Sequence, residues 1–355
     1  MTTVVLDGRM LRHDQAGIGR YIWRLHEALA MLPQEAVDLE LLVDRRGGLP
    51  GRPSLRARPV LAPARHRLER VFLPRALRAA DLVHFPDHGI PPGARRPAIV
   101  TVHDVSFLTH PETHSAASRR HYAASIGTLR QARRVIVPSR HVQSVLVERD
   151  LVSADCVTVV TSAPGLAATA DGPRCREWPT PFGLMVGTIQ PRKNIELAAR
   201  AFAASRFSRR GSLLVAGSVG YRGSAIIRAV RASRGADRVR FLGRVADATL
   251  ARLFAQAEFV LMPSRDEGFG LPALEAMALG TPVIAARAGA LPEVVGDASL
   301  LIEPNDAEEL TEAVDRLTDD PDLRATLSAG GRARARGFSW ERTARETLAV
   351  YEACL

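Results

Sequence analysis

The sequence predicts an α/β protein of two domains, each built on a parallel sheet covered by helices. Its 355 residues exceed one ordinary hydrophobic core and suit two. In both halves, short apolar runs typical of buried strands alternate with helical periodicities. The periodicity disappears only at Ser162–Pro181, which is rich in Ala, Gly and Pro. Strands that alternate with helices indicate parallel sheets with both faces covered.

Individual elements are predicted from these runs. In the first half, strands are predicted at Thr3–Leu6, Glu40–Val43, Leu82–Phe85, Ile99–Val102 and Val135–Pro138, with helices at Tyr21–Met31 and Ala116–Ala132. In the second half, strands are predicted at Phe182–Ile189, Leu213–Ala216, Val239–Leu242, Phe259–Met262, Val283–Ala285 and Leu300–Ile302. Helices are predicted there at Asn194–Ala203, Ala248–Ala257, Leu271–Leu279 and Ala307–Leu317.

Four segments follow from this organisation. The predicted boundaries are a first domain over 1–165, a linker over 166–181, a second domain over 182–337 and a C-terminal helix over 338–355. Two placements of that helix stay open: packing on its own domain, or crossing back to the first one.

Composition excludes several classes of protein. Hydrophobic content of 46% and charged content of 24% are typical of a globular chain. No apolar run has the length that crosses a bilayer, and the N-terminus lacks the pattern of a secretory signal, so we expect a cytoplasmic protein. The three cysteines have no C-x-x-C spacing, which argues against a disulfide frame or a zinc site.

Charge is unevenly distributed. Residues 1–170 carry a net charge of +8 and the remainder carries +2, which indicates an anionic partner or simply an arginine-rich codon bias. Of the 48 basic side chains one is lysine, Lys193, and a retained ammonium indicates a site where a compact point charge matters.

The strongest motif lies at residues 263–282. A predicted strand runs into a loop with Gly268 and Gly270, then into a helix that Gly280 and Pro282 end. Such a unit directs free backbone N–H groups and a helix dipole at an anion. Glu267 and Glu275 bracket the loop and are suited to accept hydrogen bonds from sugar and ribose hydroxyls. The alternative is a surface glutamate at 267 and a glutamate at 275 that pairs with i,i+4 partners on its helix face.

A second motif, Gly187–Asn194, also joins a predicted strand to a helix. Arg192 and Lys193 would then lie at the carboxyl edge of a parallel sheet, where open α/β folds bind ligands. The two cations suit a pyrophosphate leaving group. A solvated basic turn is the alternative.

Two shorter motifs lie in the first half. Gly17 and Gly19 stand in a G-I-G-R-Y run before the first predicted helix, where glycine lets a backbone approach a ligand closely. The third glycine of a dinucleotide fingerprint is missing. His103 and Asp104 follow a predicted strand. The other histidines, such as His84, His88, His110 and His114, belong to no motif, and most of them are expected at the surface or in loops.

Together these residues resemble the family 4 glycosyltransferases. G-x-x-x-P-R-K-N at 187–194, E-x7-E at Glu267 and Glu275, and T-P-V-I-A with L-P-E-V-V-G at 281–296 follow the family pattern, which runs through nearly all of residues 182–340. The G-I-G-R-Y and T-x-H-D motifs extend the resemblance to the first half. The resemblance implies the GT-B architecture, two Rossmann-like domains facing each other across a cleft.

The resemblance also implies roles for individual residues. Arg192 and Lys193 would bind the donor diphosphate, Glu275 the ribose and Glu267 the transferred sugar, while Gly243–Asp247 would lie near the base. The predicted catalytic residues are His103, Arg192, Lys193 and Glu267. The predicted donor-binding residues are Gly17, Gly19, Gly187, Thr188, Arg192, Lys193, Glu267, Phe269, Gly270, Leu271 and Glu275.

The expected function is that of a retaining hexosyltransferase in polysaccharide biosynthesis. The resemblance implies a nucleotide diphosphate-sugar as co-substrate, with GDP-mannose as the first guess, and a glycan, glycolipid or metabolite as acceptor. It implies no cofactor and no metal, and the one D-x-D run, Asp320–Asp322, is expected to cap a helix.

Two other classes stay open. A non-catalytic sugar-nucleotide or nucleic-acid binder would fit the basic composition, although aromatic residues amount to only 5% and stacking platforms need them. A nucleotide-sugar epimerase or a phosphorylase would also use two Rossmann-like halves, but a phosphorylase needs a cofactor lysine, and Lys193 belongs to the phosphate motif.

A peripheral contact with an anionic membrane is a further hypothesis. Residues 65–78 interleave five arginines with large apolar residues, and Phe72 and Leu73 would enter the bilayer. The alternative is that Pro74 interrupts any long helix and the apolar residues cover the sheet.

Overall fold

The structure is a computed structural model that describes residues 2–12, 17–33, 37–47, 49–62, 64–66, 68–166 and 178–355. It divides into two compact units. The first contains Met1–Val105, Ala116–Gly165 and Phe338–Leu355, and the second contains Ser106–Ser115 and Leu166–Gly337. The C-terminal segment therefore belongs to the first unit. Residues 167–177, most of the predicted linker, lie outside the described residues.

Each unit is built on one parallel sheet, which confirms the predicted fold class. The first sheet contains β1 (Thr2–Asp7), β2 (Val37–Asp44), β3 (Arg56–Val60), β4 (Leu82–Phe85), β5 (Ala98–Thr101), β6 (Arg134–Val137) and β7 (Val157–Val159) in the order β3-β2-β1-β4-β5-β6-β7. The second contains β8 (Phe182–Val186), β9 (Ser212–Ala216), β10 (Val239–Gly243), β11 (Phe259–Met262), β12 (Val283–Ala286) and β13 (Leu300–Ile302) in the order β10-β9-β8-β11-β12-β13.

Helices connect the strands. Along the described chain they are α1 (Gly17–Ala30), α2 (Glu69–Ala76), α3 (Ser106–Thr109), α4 (Ala116–Ile126), α5 (Arg140–Glu148), α6 (Ile195–Ala204), α7 (Gly223–Arg231), α8 (Asp247–Gln256), α9 (Leu271–Leu279), α10 (Leu291–Val295), α11 (Ala307–Asp319), α12 (Pro321–Ala335) and α13 (Trp340–Glu352). One of the 3₁₀ turns, Pro191–Lys193, lies directly before α6. The strands β4, β5, β9, β11 and β12 are buried along their whole length, as parallel strands between two helix layers must be.

Elements that the sequence analysis did not predict have weak local signals. β3 is an edge strand that contains two arginines and Pro59. Proline has no N–H to donate, and an edge strand tolerates this because it has a neighbouring strand on one side only. α12 contains Gly330 and Gly331, which lower helix propensity. A Cβ at Gly331 would lie 3.4 Å from Met277 of α9, so the small residue permits close packing of the two helices. Asp320 caps α12 by accepting from the amide of Leu323 at 2.8 Å, as predicted.

The membrane hypothesis requires a correction in this region. Leu73 of α2 and Leu77 are buried in the hydrophobic core of the first unit, and Phe72 packs partly buried against it. Leu73 therefore covers the sheet and does not face a bilayer, because the core offers it a fully dry environment. The exposed apolar residues nearby are Leu68 and Val71, and Arg67 lies outside the described residues.

Buried polar contacts fasten α13 to the first unit. The hydroxyl of Tyr351 lies 2.7 Å from Nδ1 of His84, whose Nε2 lies 2.6 Å from the hydroxyl of Thr101. Trp340 Nε1 donates to the carbonyl of Pro164 at 2.9 Å. His84 was expected at the surface or in a loop but is fully buried in β4, and burial lowers its pKa to about 3. A neutral imidazole uses both ring nitrogens here, one as donor and one as acceptor.

Replacing Tyr351 by Phe is predicted to lower the free energy of unfolding by about 1–3 kcal/mol, because one ring nitrogen of His84 loses its partner in a buried site. Urea unfolding followed by circular dichroism measures the change. Tyr221→Phe, at a half-exposed tyrosine, is the matched control and should stay within about 0.5 kcal/mol of the parent. Equal urea midpoints of unfolding for the two variants would contradict the role of the Tyr351–His84 contact in anchoring α13.

Candidate functional site

The predicted donor residues of the second unit lie at the reversal point of its sheet. β8 pairs with β11, while the strand that follows β8 in sequence, β9, pairs on its other side. Open α/β sheets bind ligands at such a point, outside the carboxyl ends of the strands. The loop after β8 contributes Arg192 and Lys193, and the loop after β11 contributes Ser264 and Glu267.

These four residues form a compact ion cluster. An Nη of Arg192 donates to Oε2 of Glu267 at 2.8 Å, and the ammonium of Lys193 donates to Oε1. The hydroxyl of Ser264 donates to the same Oε1 at 2.7 Å. Two cations thus share one carboxylate, and this triad of Arg192, Lys193 and Glu267 keeps an excess of one positive charge.

The carboxylate of Glu267 stays ionised in this environment. Burial alone raises its pKa, but the charges of Arg192 and Lys193 lower it. With the hydrogen bonds from Lys193 and Ser264, the pKa of Glu267 falls to about 2. Glu267 is therefore a permanent acceptor of hydrogen bonds near neutral pH.

Local backbone geometry positions the two cations. Asn194 adopts a left-handed conformation with φ of 56°, which ends the 3₁₀ turn and begins α6, and its side chain donates to the carbonyl of Pro304 at 2.6 Å. Gly187 has φ of 143°, and a Cβ there would lie 3.0 Å from Cε of Lys193. The amide of Arg265 donates to the carbonyl of Arg192 at 2.9 Å, which joins the two loops directly.

The helix of the E-x7-E motif begins as the sequence predicts. Gly270 caps α9 with φ of 106°, Pro272 stands in the first turn, and Gly280 ends the helix with φ of 78°. Glu275 in this helix is 2% exposed and Glu267 is 6% exposed. Glu267 is therefore not the surface glutamate of the alternative interpretation, and a buried carboxylate requires partners. Phe269 is buried beside them.

Asp266 and its partners were not anticipated from the sequence. Its carbonyl accepts from Arg192 at 2.5 Å, and its carboxylate accepts from the hydroxyl of Thr109. Nδ1 of His110 lies 3.7 Å from the same carboxylate oxygen. Thr109 and His110 belong to the segment Ser106–Ser115, which the structure groups with the second unit. No local pattern signals a contact across 157 positions of sequence.

In the first unit, His103 lies among other buried rings. Its Nε2 lies 3.1 Å from the carbonyl of Pro86, and its ring meets Tyr21 edge to face at 4.6 Å between centroids. Burial, with the charge of His88, lowers the pKa of His103 to about 4. The imidazole is therefore neutral near pH 7 and acts as a hydrogen-bonding group. Its contact with a donor sugar stays a prediction.

One further expectation for the first unit needs correction. Gly17 and Gly19 do not precede the first helix, because α1 begins at Gly17 and includes both in its first turn. They thus belong to the region whose amides have no intrahelical partner. His88 lies in the loop after β4, as expected for most histidines outside the motifs; it is 5% exposed in a left-handed conformation, with Nδ1 at 3.1 Å from Asp87.

The described residues contain neither clustered metal ligands nor a membrane-spanning helix. No group of three or more His, Cys, Asp or Glu side chains among them is arranged to hold a metal ion. Within the same part of the chain, every helix is too short or too polar to cross a membrane.

Comparison with known proteins identifies the family. Residues 179–334 match the family described as Glycosyl transferases group 1, and residues 16–163 match Glycosyltransferase Family 4. The chain is 31% identical to O-antigen chain mannosyltransferase B of Escherichia coli, over 96% of this chain and 97% of that protein. It is 49% identical to the MMP alpha-(1->4)-mannosyltransferase of Mycolicibacterium hassiacum over 120 residues, 33% of this chain and 29% of that protein.

Solved structures share the fold across the whole chain. Sucrose-phosphate synthase from Thermosynechococcus elongatus superimposes with a TM-score of 0.73 at 23% identity, covering 99% of both chains. HepE of Anabaena, solved with UDP-glucose, gives a TM-score of 0.75 at 18% identity over 99% of this chain and 100% of that one. The two family matches and the full-length similarity to the Escherichia coli enzyme confirm the family that the motifs predicted: this chain belongs to the family 4 glycosyltransferases.

Proposed function

We propose that this glycosyltransferase takes a hexose from a nucleotide diphosphate-sugar and transfers it with retention of anomeric configuration, without a metal ion. The observation that carries the proposal is the triad of Arg192, Lys193 and Glu267 at the reversal point of the second sheet. Its net positive charge favours an anion, and its carboxylate provides an acceptor for hydroxyl groups beside that anion.

The cations would act mainly on the leaving group. As the glycosidic bond breaks, negative charge grows on the diphosphate, and fixed cations stabilise that charge without reorganising. Arg192 and Lys193 are already fixed, because each donates to Glu267 and the backbone of Arg192 is bonded to the neighbouring loop. They would supply the charge that a metal ion provides in other transferases.

Glu267 would divide its interactions between the cations and the transferred sugar. Oε1 already accepts from Lys193 and Ser264, but Oε2 accepts from Arg192, so a second lone pair of Oε2 can receive a sugar hydroxyl while the ion pairs persist. Glu275, buried in α9, would hold the ribose. These two roles place the sugar near the ion cluster and the ribose near the helix.

The donor is proposed to be GDP-mannose and the acceptor a glycan or glycolipid. Support comes from two relatives named as mannosyltransferases, one of them acting on the O-antigen chain. A cytoplasmic location with a peripheral membrane contact stays part of this proposal, with two exposed apolar residues at the start of α2, Leu68 at its N-cap and Val71 in its first turn.

Thermal unfolding in the presence of nucleotide-sugars tests the donor. GDP-mannose is predicted to raise Tm more than UDP-glucose or UDP-N-acetylglucosamine, because binding to the folded state stabilises it. Lys193→Ala should remove most of this shift and lower turnover by about 10²–10³-fold. Arg200→Ala, an exposed cation of α6, is the matched control. No shift with any nucleotide-sugar would overturn the proposed function, and a larger shift with UDP-glucose would overturn the donor.

Calorimetry with GDP alone separates the two glutamates. Glu275→Gln is predicted to weaken GDP binding about tenfold, or 1.4 kcal/mol, because it acts on the ribose. Glu267→Gln should not weaken GDP binding, because the carboxylate that competes with the diphosphate for Arg192 and Lys193 is removed. The same variant should lower turnover with GDP-mannose. Equal losses of GDP affinity in both variants would contradict these roles.

Gly289 offers a test of how the Glu267 backbone is held. This residue has φ of 57°, and a Cβ there would lie 2.5 Å from both N and O of Glu267. Gly289→Ala is predicted to shift Glu267 and lower turnover at least tenfold. Gly47→Ala adds the same left-handed strain, with φ of 85° and no atom within 4 Å, and should leave turnover unchanged. Equal turnover in the two variants would show that Gly289 is merely a turn residue.

A further inference from the structure

A groove of about 480 Å³ lies at the edge of the second sheet that is opposite to the triad. Its walls are the C-terminal end of α6, the 3₁₀ turn Arg206–Arg209 and the connection from α7 to β10. These segments lead into the amino ends of β9 and β10, whereas the triad follows the carboxyl ends of β8 and β11. The groove is therefore separate from the candidate donor site, and its volume is within the ordinary range of ligand sites, roughly 300–1,000 Å³.

All the charged groups that line this groove are cations. Among its described lining residues, three are arginines, Arg200, Arg209 and Arg234, and the others are serines and alanines. None of the three guanidinium groups forms an ion pair with a described carboxylate. Like charges on a concave surface repel one another and focus a positive potential. The groove therefore attracts an anion.

Nearby carboxylates are occupied by other arginines. Arg206, in the same 3₁₀ turn as one wall of the groove, lies 3.2 Å from Asp315 and 2.8 Å from Asp319 of α11. Arg238, in the connection from α7 to β10, lies 3.6 Å from Asp237. Neither arginine lines the groove. These ion pairs therefore do not neutralise the three cations that do.

The sequence concentrates its charge around the groove. Residues 200–252 contain 12 arginines and 2 aspartates, a net charge of +10, which equals the net charge of the whole chain. Since residues 171–355 together carry +2, the rest of that half carries −8. The near balance of the second half thus conceals one strongly basic segment, and such a segment raises the local concentration of anions.

Hydrogen bonds of the serines fix two walls of the groove. The hydroxyl of Ser205 donates to the carbonyl of Phe202, that of Ser208 to the carbonyl of Ser205, and that of Ser233 to the carbonyl of Val230, each at 2.7 Å. A hydroxyl has one proton to donate, and here the backbone receives it. The guanidinium groups are therefore the donors that the groove offers to a ligand.

The two walls meet at a glycine. Gly235 has φ of 77°, and a Cβ there would lie 2.9 Å from Cβ of Ala203 at the end of α6. Phe207 anchors the 3₁₀ turn in the hydrophobic core of the second unit. The backbone of the groove is thus fixed, while the side chains of Arg209 and Arg234 are exposed and can turn toward a ligand.

From these observations we propose that the groove binds a phosphate group of a ligand other than the sugar donor. A phosphate monoester carries about −1.5 to −2 charges near pH 7 and has three acceptor oxygens, whereas a carboxylate carries one charge. Guanidinium groups bind phosphate oxygens in a bidentate manner, so three of them match the larger charge better. A soluble phosphorylated molecule and the headgroup of an anionic phospholipid present this same group.

The inference goes beyond the proposed function and does not depend on it, because no residue of the triad takes part. The groove and the triad lie at opposite edges of one sheet. Arg200→Ala therefore remains a valid control for the donor site, since it leaves Arg192, Lys193 and Glu267 in place.

Calorimetry with inorganic pyrophosphate tests the groove. The titrations use the full chain with Lys193→Ala, which leaves no positive charge in excess at the triad. Adding Arg209→Gln and Arg234→Gln should weaken pyrophosphate binding at least tenfold, or 1.4 kcal/mol. Arg228→Gln with Arg231→Gln is the matched control, because both arginines are exposed on α7, lie outside the lining and remove the same charge. The control pair should weaken binding less than threefold.

A second pair of variants fills the groove without changing its charge. Ala204→Trp, at an exposed lining position that ends α6, should remove pyrophosphate binding. Ala229→Trp, exposed on α7 outside the lining, should keep it. Two results would overturn the inference: no pyrophosphate binding in the Lys193→Ala chain, or equal losses in a groove variant and its control.

Co-sedimentation with vesicles at low salt separates the two sources of phosphate. For a lipid headgroup, phosphatidylglycerol vesicles should bind more protein than phosphatidylcholine vesicles, and the bound fraction should fall with Arg209→Gln and Arg234→Gln but not with the control pair. For a soluble ligand, pyrophosphate binds in the groove and the vesicles do not distinguish the two pairs. Either result supports the phosphate site and assigns its source.

Discussion

The pairing of β8 with β11 is the constraint on which the candidate donor site depends. These parallel strands meet through Gly183 with Phe259 and Leu184 with Val260, and their carboxyl ends therefore emerge side by side. The loops that follow bring Arg192 to Glu267 across 75 positions of sequence. A buried cation without this carboxylate would be strongly unfavourable, so the pairing of strands and the pairing of charges support each other.

The two units carry different side chains at the same point of their sheets. Each sheet reverses its strand order beside its first strand, at β1 and β4 in one unit and at β8 and β11 in the other. In the second unit the loops at this point leave one positive charge in excess, which suits a diphosphate. In the first unit, by contrast, three guanidinium groups and three carboxylates line a cavity of about 540 Å³ at this point. Side chains on the loops, not the sheets, decide the difference.

Burial also determines how the histidines of the first unit behave. His84 and His103 lie in or beside buried strands, and burial lowers the pKa of both well below 6.5. Each then uses its ring nitrogens for fixed hydrogen bonds, His84 to α13 and Thr101, and His103 to Pro86. Both rings are therefore neutral near pH 7 and act through hydrogen bonds. His84 uses its two hydrogen bonds to join the C-terminal helix to the sheet.

Local patterns in the sequence determined the fold class, most strands and the donor motifs. The apolar run before the Gly268 loop predicts β11, and α9 has the predicted bounds, Leu271–Leu279. Lys193 is the one lysine of the sequence. Such features depend on neighbours within a few residues: apolar spacing, a glycine cap and an early proline.

Tertiary structure alone decided which distant groups meet. Thr109 contacts Asp266, Arg65 contacts Asp87, and Tyr351 contacts His84, although no local signal marks any of these pairs. It also decided that Leu73 enters the core rather than a membrane surface. Periodicity reports only that a side chain is apolar or that a segment is helical. Which partner it finds depends on the strand order, and that order is determined by the packing of the whole chain.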